Sequence, residues 1–162
     1  MPTGKVPPYS IDAEKSLLGA LLVDKEAIVK VADLLTQEDF YDWSHWLIYE
    51  AIVGLFQKGK PIDLVTVSWK LANDSKLDDV WGNAFLAELT NTVPTSSHVY
   101  EYAQIIKTKS VLRKLIRSGN DIIAMGYDEG EEINNLLEKA EQSLFWVTQT
   151  FIKNKLTHIR EV

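Results

Sequence analysis

The sequence has 162 residues, which is enough for one domain, and a formal net charge of −6. It has no cysteine, which excludes disulfides and thiolate metal sites. A surface that binds DNA as its main role is usually basic, so the acidic balance argues against such a role. No stretch reaches the ~18 apolar residues of a membrane span, and the proline-rich start resembles no signal peptide. We expect a soluble cytoplasmic protein.

Apolar residues recur at helical spacing along almost the whole chain, and patterns typical of strands are nearly absent. Ser10 is a candidate N-cap for a first helix. Further helices are predicted at 25–35 and 45–58, then a short one capped by Asp63 or Thr66, and another from Gly82. The first helix has an apolar face of Leu17, Leu18, Leu21 and Leu22. The predicted fold class is all-α.

The composition changes at Pro94–Ser97, a polar break that we interpret as a boundary. It predicts a globular helical subdomain over residues 1–95. Two long helices follow, over about 97–125 and 132–152, and a short turn joins them into an antiparallel hairpin spanning 96–152. Residues 153–162 are polar and mixed, and they are predicted to begin a linker.

The first hairpin helix changes its apolar face along its length. Placed ~100° apart, the apolar residues from Val111 to Ile123 share one stripe, opposite the basic residues from Lys107 to Arg117. Val99, Tyr102 and Ile106 lie earlier, on what becomes the basic side. The first turns are therefore predicted to pack on the globular part, and the later turns on something else.

The second hairpin helix has a stripe that we expect to pack against the first helix, from Ile133 through Leu137 and Leu144 to Phe151. Phe145, Trp146 and Ile152 lie off it and need another surface. A partner chain is the favoured surface, and the globular part is the alternative. The candidate oligomer interface consists of Leu112, Ile116, Ile123, Phe145, Trp146 and Ile152.

The motifs in the sequence predict no catalytic, cofactor or metal site. Gly54, Gly59 and Lys60 match the start of a phosphate-binding loop, but Pro61 replaces its Ser or Thr, and a helix that stops at glycine explains the pattern better. The histidines are too far apart to suggest a metal site. The basic face of the hairpin has no interleaved aromatics, so a solvated helix face is favoured over contact with single-stranded DNA or an acidic partner.

Several patterns together resemble the amino-terminal domain of the DnaB helicase family. They include Pro8–Glu14 with the leucines after it, Asp39-Phe40-Tyr41 with His45, Gly59–Val67, and Ala140-Glu141 with Leu144-Phe145. The resemblance covers about residues 7–150. The sequence departs from the family at Trp46, where Arg is frequent, and at Trp81, where a second glycine is common.

The resemblance implies a parent protein that is a hexameric ring and unwinds DNA 5′ to 3′. Its RecA-like motor, which binds ATP and magnesium, would follow the linker. In the family, hairpins pair between subunits, the dimers assemble as a trimer of dimers, and this collar binds primase and a helicase loader. Single-stranded DNA is a partner of the parent.

The turn of the hairpin is the candidate primase-docking site, formed by Met125, Tyr127, Asp128 and Glu129. Apolar groups within an acidic rim are typical of a specific, reversible interface. An ordinary solvated turn is the alternative for this segment. For the chain as a whole, the alternative is a free-standing helical adaptor or regulatory protein without a motor.

Overall fold

The computed structural model describes residues 4–92 and 95–160, with side chains through Ile152. Its regular elements are helices, and no strand occurs in these residues, which confirms the predicted all-α class. The α-helices are α1 (Ile11–Val23), α2 (Ala27–Val31), α3 (Trp43–Gln57), α4 (Leu64–Asn73), α5 (Gly82–Thr92), α6 (Val99–Gly126) and α7 (Ile133–Arg160). Short 3-10 turns form at Gln37–Asp39, Asp78–Val80 and Ser96–His98.

The chain divides into two compact units. The globular unit is Tyr9–Ser110, and the hairpin unit combines Met1–Pro8 with Val111–Val162. The predicted boundary at residue 95 comes just before α6, but the packing changes only at Ser110, because α6 continues without a break. Val99 and Ile106 belong to the buried globular core, so the first turns of α6 pack there as the rotating apolar face predicts.

The globular core forms where α1, α3, α4 and α5 pack together. The Ser10 hydroxyl accepts a hydrogen bond from the Ala13 amide and caps α1, as predicted. The side chains of Leu17, Leu18 and Leu21 on α1 are almost fully buried. The predicted second helix is shorter than expected, because α2 ends at Val31 and turns lead into Gln37–Asp39.

The end of α3 accounts for the glycine pattern that resembles a phosphate-binding loop. Gly59 has a φ of 65°, and its amide bonds to the Phe56 carbonyl at 3.0 Å. The Lys60 amide bonds to the Leu55 carbonyl, also at 3.0 Å. This pair of bonds is the Schellman helix end, which requires a left-handed residue after the cap. The predicted helix stop is therefore present.

The hairpin unit contains the later turns of α6 and the whole of α7, joined by the turn between Gly126 and Ile133. The Ser118 and Ser143 hydroxyls bond at 2.7 Å across the two helices. Because the two serines lie at similar distances on either side of the turn, the helices run antiparallel. Helix α7 continues to Arg160, so the predicted linker segment from residue 153 is not marked by a break in the helix.

Candidate interaction surfaces

The seam between α6 and α7 is narrow and partly polar. On α7, the partly buried residues recur four and three positions apart, which is the heptad spacing of a helix pair. On α6, Ser118 is buried, while Val111, Ile122 and Met125 are partly buried. The seam residues of α7 are Leu136, Ala140, Ser143, Val147 and Thr150.

Large apolar side chains beside this seam remain exposed. They form what we call the apolar face: Leu112, Leu115, Ile116 and Ile123 on α6, with Ile133, Leu137, Leu144 and Phe151 on α7. Their exposed fractions run from 39% to 62%. An apolar patch that is continuous and exposed is unusual on a monomer and marks an interaction site.

Both columns of the apolar face lie on the same side of the hairpin. On each helix, the apolar-face residues form a column that is displaced about the helix axis by roughly a quarter to a third of a turn from the seam residues. The displacement has the same sense on both helices when each helix is followed from its N-terminus to its C-terminus. Because α6 and α7 are antiparallel, this common sense of rotation brings the columns to one side. The result is a single surface two helices wide.

The predicted interface residues do not all belong to this surface. Leu112, Ile116 and Ile123 lie on it. Phe145 and Ile152 lie roughly a quarter of a turn beyond the exposed α7 residues of the apolar face, on the side of α7 opposite the seam. Trp146 lies on the other side of α7, where it lines a groove with residues of α6. The prediction that the whole apolar stripe of α7 packs against α6 was wrong, because Ile133, Leu137, Leu144 and Phe151 are exposed.

The sequence interpretation therefore missed five apolar-face residues. Four of them belong to a second α7 column next to the seam, and the spacing of seven between Leu137, Leu144 and Phe151 could have revealed it. The fifth, Leu115, was assigned to the stripe of α6 but not to the candidate interface.

The groove on the opposite side of the hairpin is polar. Lys114, Arg117 and Asp121 of α6 line it together with Trp146 and Thr150 of α7. The Trp146 side chain is 69% exposed. The periodicity of α6 shows no aromatic on its basic face, because the indole comes from the neighbouring helix α7.

The hairpin turn presents an isolated aromatic among carboxylates. Tyr127 is 84% exposed, and Met125 is partly buried. The Asp128 carboxylate accepts the Gly130 amide at 3.0 Å, which shapes the turn, and Glu129 is exposed. The four predicted docking residues therefore occupy one short segment.

A buried carboxylate joins α1 to the start of α3. Glu14 is 1% exposed and accepts hydrogen bonds from the amides of Tyr41 and Asp42 at 3.0 and 3.3 Å. Its Oε1 atom also lies 3.0 Å from Nδ1 of the buried His45. His45 therefore has a structural partner, and the amides of the Tyr41–Asp42 loop are satisfied by the same carboxylate.

Asp42 in turn caps α3. Its carboxylate accepts bonds from the Ser44 amide at 2.8 Å and from the Ser44 hydroxyl. Partial burial acts to raise the pKa of Asp42, but the bonds from Ser44 and the nearby His45 outweigh it, so the pKa lies below its usual range. The cap is consequently charged at neutral pH.

A second buried network joins the Gln37–Asp39 turn to α6. The Asp39 carboxylate is fully buried and lies 3.3 Å from the Lys107 ammonium at both oxygens. The Ser110 hydroxyl donates to it at 2.6 Å, and the Thr36 amide donates at 2.8 Å. Asp39 and His45, both in the family pattern, thus hold the globular unit together.

Two further observations limit the chemistry of the described residues. Within residues 4–92 and 95–152, no three histidine or acidic side chains converge as they would at a metal site. No helix in the described part of the chain is both long and apolar enough to cross a membrane.

Comparison with known proteins places this arrangement in a family. A family model described as the DnaB-like helicase N terminal domain matches residues 6–108. The chain is 38% identical to the replicative DNA helicase DnaB of Geobacillus stearothermophilus and 37% identical to the replicative DNA helicase DnaC of Bacillus subtilis, in each case over 98% of its length. It spans only 35% of the length of either relative.

Solved structures agree with this match. The N-terminal domain of DnaB helicase from Mycobacterium tuberculosis superposes with a TM-score of 0.83 at 34% identity, over 86% of this chain and 99% of that one. A DnaB-like replicative helicase, studied with its interactions with primase, has a TM-score of 0.72 at 24% identity, over 85% of this chain and 30% of that one. The chain therefore belongs to the family of DnaB-like helicase N-terminal domains.

Proposed function

We propose that this chain is the collar domain of a hexameric replicative DNA helicase, where it holds subunits together and does no chemistry itself. The observation that supports this role is the apolar face of the hairpin. The parent protein would unwind DNA 5′ to 3′ with a RecA-like motor that binds ATP and magnesium. In that protein the hairpins would pair as dimers and assemble as a trimer of dimers.

The interface we propose brings two apolar faces together. Large apolar groups at this exposure lose contact with water when a second copy covers them, and each Å² removed contributes roughly 25 cal/mol. Phe145 and Ile152 lie beside the apolar face on α7, and we propose that they contact the edge of the partner. Trp146 faces away from this surface, so we leave it outside the interface.

Sedimentation velocity over a range of concentrations tests the proposal. The wild-type chain should form dimers or larger species, and Leu137→Glu should shift it toward monomer, because an unpaired charge in an apolar contact is costly. Val29→Glu is the matched control, since Val29 is similarly exposed at 62% but lies on the globular unit. Its sedimentation should match that of the wild type.

Two results would count against this interface. A wild-type chain that stays monomeric at high concentration would favour the free-standing adaptor. Equal dissociation by Leu137→Glu and Val29→Glu would mean that association uses another surface.

The same proposal assigns primase docking to the hairpin turn, where Tyr127 and Met125 are surrounded by acidic groups. Titration calorimetry with the carboxy-terminal domain of the primase should show binding that weakens with salt, because exposed charges are screened beyond about 8–10 Å. Tyr127→Ala should weaken it further. If neither Tyr127→Ala nor Met125→Ala alters the affinity, docking occurs elsewhere. A helicase loader is the second partner we propose for the collar.

The proposal also assigns nucleotide chemistry to the motor. The purified chain should therefore hydrolyse no ATP, since Pro61 and the helix end at Gly59 leave no phosphate-binding loop at Lys60. Hydrolysis that survives purification and that Lys60→Ala abolishes would contradict this assignment.

A further inference from the structure

The polar groove of the hairpin combines a stacking surface with positive charge. Trp146 exposes 69% of its surface. Across the seam, α6 contributes Arg117 and Lys114 to the same groove. Ser143 and Thr150 also line the groove, but the Ser143 hydroxyl bonds to Ser118 and the Thr150 hydroxyl donates to the Trp146 carbonyl. An exposed indole beside two cations is the combination that takes a base and its phosphate.

The charge on this side is more favourable than the net charge of −6 indicates. Asp121 is the one carboxylate among the described side chains that line the groove. On α7, Glu141 lies roughly a third to half a turn from the groove-lining positions, and Glu138 lies about a quarter of a turn from Trp146, on the side away from the seam. Arg117 is exposed and forms no hydrogen bond or ion pair with the described residues. It is therefore available to bind a phosphate.

We infer that this groove is a binding site for single-stranded nucleic acid, with Trp146 stacking on a base and with Arg117 and Lys114 contacting phosphates. The site is separate from the apolar face, because the two surfaces lie on opposite sides of the seam. One hairpin can thus bind a second copy of the chain and a nucleic acid strand at once.

A single strand fits the groove better than a duplex or an acidic peptide. Bases in a duplex are stacked on one another, so their faces are closed to an indole, while unpaired bases stack on aromatic side chains. An acidic peptide would account for Arg117 and Lys114 but would leave the exposed indole unused. The single strand uses both features.

The test is fluorescence anisotropy of a fluorescein-labelled oligothymidine titrated with the full chain at low salt. The oligonucleotide needs about 16 nucleotides, the upper range of site sizes for strand-binding folds. Trp146→Ala should weaken binding about tenfold, as loss of one stacked base does, and Trp146→Phe should lie between. Trp69 is a tryptophan of similar exposure, 60%, on the globular unit, so Trp69→Ala should bind as the wild type does.

The salt dependence separates stacking from charge. Arg117→Gln should reduce the slope of log affinity against log salt by about 0.7, the change for one phosphate contact on a single strand. Lys30→Gln, an exposed lysine on α2, should leave the slope unchanged. Circular dichroism of each variant should match the wild type, because the altered side chains are exposed.

Several results would overturn the inference. One is the absence of oligothymidine binding at low salt. Another is an equal loss of affinity in Trp146→Ala and Trp69→Ala. A third is a duplex of the same length that binds as tightly as the single strand. Binding of a polyglutamate peptide that Arg117→Gln abolishes, without oligothymidine binding, would identify the groove as a site for an acidic protein instead.

Discussion

Removal of the Lys107 charge should destabilise the globular unit far more than removal of a surface ion pair whose N–O distance is shorter. Lys107 is 7% exposed, and its ammonium lies between the two oxygens of the fully buried Asp39. Lys107→Met removes the ammonium that lies 3.3 Å from both oxygens of that buried carboxylate. Breaking a buried ion pair by removing one partner costs about 3–5 kcal/mol.

The matched control is Lys76→Met, which breaks the bond to Glu50. That pair is shorter, at 2.8 Å against 3.3 Å, but its side chains are 35% and 37% exposed. Exposed pairs typically contribute about 0.2–1 kcal/mol because water and salt screen them. Distance alone thus predicts the larger loss for Lys76→Met, while burial predicts it for Lys107→Met.

Urea unfolding followed by circular dichroism measures both variants. The free energy of unfolding should fall by about 3 kcal/mol or more for Lys107→Met and by less than about 1 kcal/mol for Lys76→Met. If the two losses agree within about 0.5 kcal/mol, the buried network does not join the Gln37–Asp39 turn to the first turns of α6 as we describe.

Three further predictions follow from single contacts. Glu14→Ala should lower the free energy of unfolding by roughly 3 kcal/mol, because buried donors lose their acceptor, and equal stability by urea unfolding would contradict this. Gly59→Ala should lower the free energy of unfolding by about 1–2 kcal/mol, because an alanine is strained at the φ of 65°. No steric clash contributes, since nothing lies within 4 Å of an added Cβ, and an unchanged urea midpoint would contradict this backbone strain. Burial, with the nearby Asp39 and Asp33 charges, raises the pKa of Tyr49. Stability present below the unfolded tyrosine pKa of about 10 should therefore be lost as the pH rises above it; Tyr49→Phe should make that decline shallower, and an identical alkaline slope would contradict it.

The sequence predicted the helices well because their signals are local. Ser10 as N-cap, the stop at Gly59 and the start of α5 at Gly82 depend on residues a few positions apart, and each was found where expected. The shift of the buried face along α6 was also visible, since Val99 and Ile106 lie on one side and Ile123 on another.

The buried networks could not be predicted, because their partners are far apart in sequence. Asp39 meets Lys107 and Ser110 across 68 and 71 positions, and Glu14 meets His45 across 31. Helical periodicity gives the angle of each side chain around its own axis. It does not show which distant helix faces that side.

The same limit explains the hairpin. Periodicity marked the apolar side of α7, but two adjacent columns share that side, and the way α6 and α7 meet decides which one is buried. Leu136 and Val147 entered the seam, whereas Leu137 and Leu144 stayed outside. Phe145 and Trp146 both lie off the predicted stripe, but only Trp146 lines the groove with residues of α6.

The central claim is that the apolar face is covered by a second copy of the chain, and thiol protection tests it most directly. The sequence has no cysteine, so Leu137→Cys and Gln142→Cys each introduce a single thiol, one on the apolar face and one on the opposite side of the hairpin. The rate of alkylation by a maleimide reports the accessibility of each thiol. We predict that alkylation of Leu137→Cys slows as protein concentration rises, while that of Gln142→Cys stays constant. Equal rates for the two variants at every concentration would contradict the claim.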